Sequence, residues 1–261
     1  MTKSIILTDP MDPARMVALA ATLGIGWSEG QALPPFAHQV YFWRPRPQGR
    51  LGRDGHPAVG GGGLIPDFGL PRRMWAGGRL RFHAPLRAGI TAEKCSILLR
   101  AEEKQGRSGP LAFVTLRHEV RQGGVLCVTE EQDLAYRPGA TDSAPVPPKP
   151  APVDCDETVE RRFSTVELFR YSALTLNGHR IHYDRDYATG VEGYAGLVVH
   201  GPLLAQCLML MAGPGLHGFS FRGASPLTDA ETARLCRDGD EMWVAGPDGR
   251  LCMTASREIA R

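Results

Sequence analysis

The densest group of proton-handling side chains in this sequence is the segment NGHRIHYDRDY, Asn177 to Tyr187, which sets His179, His182, Asp184 and Asp186 within eight positions. Imidazole titrates near neutrality, so histidines flanked by carboxylates suit general acid–base work. The same composition also suits a solvated surface loop, and the four groups offer nitrogen and oxygen ligands to a metal. Their spacing matches no zinc motif, and no metal or cofactor is expected. A second segment, GLVVHGPLL from Gly196 to Leu204, puts His200 and Gly201 between a β-branched run and the start of an apolar helix. Unpaired backbone N–H groups at a helix start, with the positive end of its dipole, can receive an anionic oxygen. Glycine and proline there equally suit a plain strand-to-helix turn.

These segments need elements to hold them. MDPARMVALAATLGI predicts a helix, because Met16, Leu19, Ala20 and Leu23 recur at three- to four-residue spacing and Gly24 can end it. The runs GRLRFHAPL, KCSILLRAEEK, PLAFVTLRHEVRQ and GVLCVTEEQDLAY predict antiparallel strands around that helix. RPGATDSAPVPPKPAPVD, residues 137–154, reads as a proline-rich linker dividing a unit over 1–136 from another over 155–261. In the second unit, RRFSTVELFRYSALT reads as an extended stretch leading into the histidine loop. GPLLAQCLMLMAGP, apolar on all faces, predicts a buried central helix. GFSFRGASPLT, EMWVAGPDG and RLCMTASREI predict strands with a PDG hairpin turn. No residue-level identity links the two halves, so a duplication rests on their layout.

The 30 basic and 28 acidic residues leave a net charge of +2, which excludes a strong field for nucleic acid or an anionic membrane. Anionic ligands must then be held by local arginines, and Arg72, Arg73 and Arg222 are the candidates, since guanidinium offers a fixed fork to phosphate or carboxylate. Each is otherwise an ordinary surface cation. Trp75, beside glycines in PRRMWAGG, is a candidate for pocket lining or plain packing. Six scattered cysteines without a C-x-x-C pair predict reduced thiols in a cytoplasmic protein. No stretch approaches the ~20 apolar residues of a membrane span.

Jointly, FRYSALTLNGHRIHYD and EGYAGLVVHGPLLA resemble the R-specific enoyl-CoA hydratases and MaoC-like dehydratases. With LGRDGHP, PRRMWAGGRLRF and KQGRSGPLAFVTLRHE they resemble one branch, the hydroxyacyl-thioester dehydratase type 2 and mesaconyl-CoA hydratase group, over nearly the whole chain. The resemblance implies an α+β double hot-dog, two antiparallel sheets each wrapped around a central helix, with chemistry only in the second half. It implies that Tyr171 opens the motif, that His182 is the catalytic histidine and that the Gly201 amide polarises the thioester carbonyl. The family's aspartate is here Asn177, which holds no exchangeable proton at useful pKa, so the expected mechanism rests on His182 and a water held by Asn177. His179, Arg180 and His200 are further candidates for substrate contact, while Asp184, two residues from His182, would face the opposite side of an extended segment.

The expected activity is addition of water to, or its removal from, a short acyl-CoA, a branched dicarboxylyl group such as mesaconyl or itaconyl giving citramalyl-CoA. A 3-hydroxyacyl carrier-protein dehydratase, a thioesterase and a non-catalytic thioester-binding subunit are the competing functions. Two hot-dogs in one chain already mimic a dimer, so further pairing into a homodimer depends on surface patches.

Overall fold

The computed structural model describes residues 3–58, 63–106, 109–139 and 147–260. Much of the expected linker, 140–146, lies outside the described residues.

The chain begins with strand β1 (Ser4–Asp9) and helix α1 (Pro13–Leu23), then 3-10 turns at Ala37–Val40 and Gln48–Arg50. Four strands follow: β2 (Arg72–Phe82), β3 (Ala92–Gly106), β4 (Gly109–Gln122) and β5 (Val125–Arg137). The second half repeats this with β6 (Glu157–Arg162), helices α2 (Thr165–Leu174), α3 (Arg185–Gly190) and α4 (Gly201–Met211), and strands β7 (Leu216–Gly223), β8 (Thr232–Asp238), β9 (Glu241–Ala245) and β10 (Leu251–Ile259).

Among the described residues all strands join in one ten-stranded sheet, ordered β1-β3-β4-β5-β2-β7-β10-β9-β8-β6, and every pairing between these strands is antiparallel. Outward from the central β2–β7 seam, the halves run 2-5-4-3-1 and 7-10-9-8-6, the same path twice. The two expected sheets are thus continuous, and this is an α+β double hot-dog. The seam explains the glycines of PRRMWAGG: a Cβ on Gly77 would meet the Phe221 carbonyl oxygen at 2.5 Å.

Helix α4 is buried on nearly every face, with Leu203, Leu204, Ala205, Cys207, Leu208 and Met209 all in the core. It packs against β2, β7, β9 and β10. Each buried leucine or methionine contributes about 1.5–3 kcal/mol, which outweighs the weak intrinsic preference of an 11-residue helix. Between α1 and β2 the described residues of the first half form only short 3-10 turns, Gln48–Arg50 and, at the corresponding place, Ala37–Val40. The residues just after it, Tyr41, Phe42 and Trp43, line an open cavity instead.

The expectation that fails is the extended stretch RRFSTVELFRYSALT. It is strand only to Arg162; Ser164 then caps a helix, its hydroxyl accepting from the Glu167 N–H at 3.1 Å, with Glu167 paired to Arg161 in the first turn. The Ser-x-x-Glu capping signal outweighs the β-branched residues around it. Strands β1 and β8 are absent from the sequence reading; β1 closes one sheet edge, and β8 lies just inside the other, which β6 closes.

Candidate active site

The histidine loop therefore leaves a helix, not a strand. At the end of α2 the Asn177 N–H donates to the Ser172 carbonyl at 2.8 Å, and Leu176 takes a left-handed conformation, φ +50°. The chain turns sharply and forms a 3-10 turn at Arg180–His182. Because this segment is not extended, alternation does not decide which way Asp184 points. Its carboxylate caps α3, accepting from the Tyr187 N–H at 3.0 Å, and pairs with Arg180 at 2.7 Å.

His182 is 7% exposed, and its Nδ1 lies 2.7 Å from the Val198 carbonyl oxygen. Only a protonated Nδ1 satisfies that contact, so the Nε2 lone pair is the available base. The His200 ring stacks on it at 3.7 Å between centroids and 20° between planes, and His200 Nε2 is 2.8 Å from the Ser172 hydroxyl. Burial, followed by neighbouring His179, pushes His182 down to about 3. His200 is also held well below its ordinary value by burial. Both rings are therefore neutral near pH 7, as a base must be before it acts.

A cavity of about 740 Å³ opens beside this group. His182, Asn177, His179 and Tyr171 line it, with Gly201 at the first position of α4. Arg72, Arg73, Trp75 and Arg222 also line it. Two expected contacts are not there. Arg180 turns its guanidinium to Asp184 and over the Tyr187 ring, 4.3 Å from its centroid, because α3 supplies an anion and an aromatic face on that side. His200 is fully buried behind His182 and supports that ring rather than the cavity. Arg72 is committed to Glu192, by an ion pair and by a 2.6 Å bond to its carbonyl. Asn177 accepts the His179 N–H on its side-chain oxygen at 3.1 Å.

Besides Arg72, Arg73 and Trp75, the first half supplies two residues to this site that sequence reasoning missed. Asp54 and His56, from LGRDGHP, line the same cavity, and the Asp54 carbonyl accepts the Arg180 N–H at 2.9 Å. Gly55 and Gly178 touch backbone to backbone: a Cβ on Gly55 would lie 2.0 Å from the Gly178 carbonyl oxygen, and φ at Gly55 is +87°. Gly55→Ala should therefore displace the histidine loop, and a misplacement of about 1 Å costs on the order of 10²-fold in rate. Steady-state kcat beside an unchanged circular dichroism spectrum checks this; a rate within threefold of wild type rejects it.

A model of the hydroxyacyl-thioester dehydratase type 2 family matches residues 36–229. The chain belongs to that family. Within it, the sequence is 46% identical to the mesaconyl-C(4)-CoA hydratase of Chloroflexus aurantiacus, over 94% of this chain and 91% of that protein. It is 26% identical to the mitochondrial hydroxyacyl-thioester dehydratase type 2 of Schizosaccharomyces pombe, over 82% of this chain and 80% of that one. In structure, this family member is similar to a MaoC-like dehydratase from Phytophthora capsici, with TM-score 0.73, 12% identity and coverage of 100% and 96% of the two chains. A Mycobacterium tuberculosis protein described as a double hotdog superposes with TM-score 0.59 at 14% identity, covering 98% and 96%. The family and the 46% identical relative indicate a hydro-lyase, and the lowered pKa of His182 gives a signed expectation. The rate should show no half-loss near pH 6.5 on acidification, because His182 stays neutral; a pH–rate profile from 9 to 5 checks it.

Proposed function

We propose that the protein adds water across the double bond of a short branched dicarboxylyl-CoA, mesaconyl-CoA or itaconyl-CoA giving citramalyl-CoA, and catalyses the reverse dehydration. The observation that carries this reading is His182 with Nδ1 locked on the Val198 carbonyl and Nε2 left as a base, in one cavity with the first amide of α4. Itaconyl-CoA must first shift its double bond into conjugation, losing an α-proton and gaining one at the γ-carbon; on mesaconyl-CoA, already conjugated, His182 takes a proton from water as the oxygen bonds to the β-carbon. The electron pair moves to the thioester oxygen, where the Gly201 N–H receives the charge, and the proton returns to the α-carbon. The name of the Chloroflexus relative supports a dicarboxylic acyl group.

Arg73 is the proposed partner of the free carboxylate. It lines the cavity and, unlike Arg72, makes no salt bridge among the described residues. A cytoplasmic setting and the division at residues 137–154 belong to the same proposal. Six unpaired cysteines support the first and the repeated strand order supports the second. Among the described residues no helix is long and apolar enough to cross a membrane.

The test is a panel of CoA and carrier-protein thioesters, saturated and unsaturated, followed by mass spectrometry for gain or loss of water. Turnover of mesaconyl-CoA or itaconyl-CoA is expected, with Arg73→Ala raising KM more for these than for crotonyl-CoA. Turnover of carrier-protein substrates alone overturns the CoA reading.

A further inference from the structure

Hydration needs a base that becomes positively charged part-way through the reaction, in surroundings that tolerate the charge. The surroundings of His182 are unhelpful: it is buried beside His179, itself pushed down to about 4 by burial and by Arg73 and Arg72. Asn177 carries no charge, and its side-chain oxygen is already engaged by the His179 N–H. The carboxylates lining the cavity are Asp54 and Glu192, and Glu192 is ion-paired with Arg72. Asp54 makes no salt bridge among the described residues.

The first half brings Asp54 in on a tight turn. Gly55 N–H donates to the Gly52 carbonyl at 3.0 Å, Gly52 N–H to the His56 carbonyl at 2.7 Å, and Asp54 accepts the His56 N–H on Oδ1 at 3.1 Å. The turn is clamped onto the histidine loop by the Gly55–Gly178 contact and by the Arg180 N–H to Asp54 carbonyl bond. The result is a cluster in which an Asp54 oxygen and ring nitrogens of His56 and His179 lie within 4.8 Å of one another. The His56 and His179 rings are 4.7 Å apart, and His179 is 5.5 Å from His182. Other charged groups facing the cluster are Arg72, Arg73 and Glu192.

We propose that Asp54, with His56, is a positioning residue of the hydration reaction: it fixes His179 and offsets, through that ring, the charge that forms on His182. This inference rests on the hydratase reading above. No bond forms or breaks at Asp54. The proton leaves water for His182 Nε2 and goes on to the α-carbon, and none passes to or from Asp54, whose carboxyl burial holds above its ordinary value. The catalytic site would then be built from both halves of the chain. The same three groups could ligate a divalent cation, but the Arg73 guanidinium faces them and disfavours a second positive charge.

The experiment compares wild type, Asp54→Asn, and Asp54→Asn with Asn177→Asp, in the full chain. Asp54→Asn is expected to lower kcat about 10²-fold while KM and melting temperature stay close to wild type. Returning a carboxylate at position 177 should recover at least a tenth of the lost rate. Nitrogen-15 histidine spectra should show the His179 ring signals shifting in Asp54→Asn even without substrate. A kcat within threefold of wild type, absence of rescue, or unchanged His179 signals overturns the inference. Activity lost to a chelator and restored by zinc or manganese would assign the cluster to a metal and overturn it as well. If wild type hydrates no thioester, the function reading fails, while the His179 signals still decide whether Asp54 holds that ring.

Discussion

His182→Ala is expected to yield a folded protein that turns over thioester on the order of 10³–10⁴ times more slowly than wild type. The size follows from one ring serving twice, as base toward water and then as acid toward the α-carbon. The Nδ1 to Val198 carbonyl bond of 2.7 Å fixes the tautomer that permits both roles, and no cavity-lining group replaces it in that position. Folding should survive because the ring stands at the cavity wall and not in the centre of the core. Its removal leaves the Val198 carbonyl without that partner and one face of His200 open, costing about 1–3 kcal/mol. A melting temperature lower by a few degrees, with one cooperative transition, is the matching observation. A variant within tenfold of wild-type kcat would sink the assignment.

His182 also makes stability depend on pH. Its folded pKa, about 3, lies below the ordinary 6.5, so the unfolded chain binds a proton that the folded chain refuses. The contribution is fully present above pH 6.5. It is lost as pH falls through the interval between 6.5 and about 3, at up to about 1.4 kcal/mol per pH unit for this group. Urea midpoints measured at pH 7.5 and 5 should fall on the acid side, and less so in His182→Ala.

The second large effect concerns Gly201, where two substitutions should have opposite outcomes. Alanine keeps the N–H, and the added Cβ would find only the Trp75 carbonyl oxygen, at 3.9 Å. Gly201→Ala should therefore be nearly silent. Proline removes the N–H, yet the backbone can accept it: position 201 is the first of α4, where proline is favoured, and the preceding His200 has φ −61° and ψ 129°, the extended region that a residue before proline needs. Loss of one oxyanion donor costs on the order of 10²–10³ in kcat, about 2.7–4 kcal/mol. Circular dichroism and melting separate this from unfolding. Equal loss in both variants would show that the glycine serves packing, and silence in both would remove its amide from the mechanism.

How far the sequence reached can be judged from particular residues. The histidine loop and the V-H-G turn were legible because their chemistry is dense and local, and α4 because its apolar pattern runs round every face. The strands β2 to β5 and the PDG hairpin were legible from alternation and turn residues. Helix α2 was misread: its β-branched and aromatic residues suggest a strand, and the Ser164–Glu167 cap, two residues among many, decides the matter. Arg180 and His200 were assigned to the substrate because motif order says nothing about which way a side chain turns. Asp184 and α3 hold the first, and Ser172 with the His182 ring holds the second.

By itself the sequence determined the reacting groups, the family resemblance and the two-part layout, all carried by short-range patterns of residue type and spacing. Tertiary structure alone decided that the halves share one sheet through β2 and β7, and that Asp54 and His56 stand beside His179 although more than 120 positions separate them in the chain. Such contacts depend on loop closure and on the absence of side chains at Gly55 and Gly178, where two backbones meet. A local pattern does not encode the partner across that gap; only the packed fold brings it there.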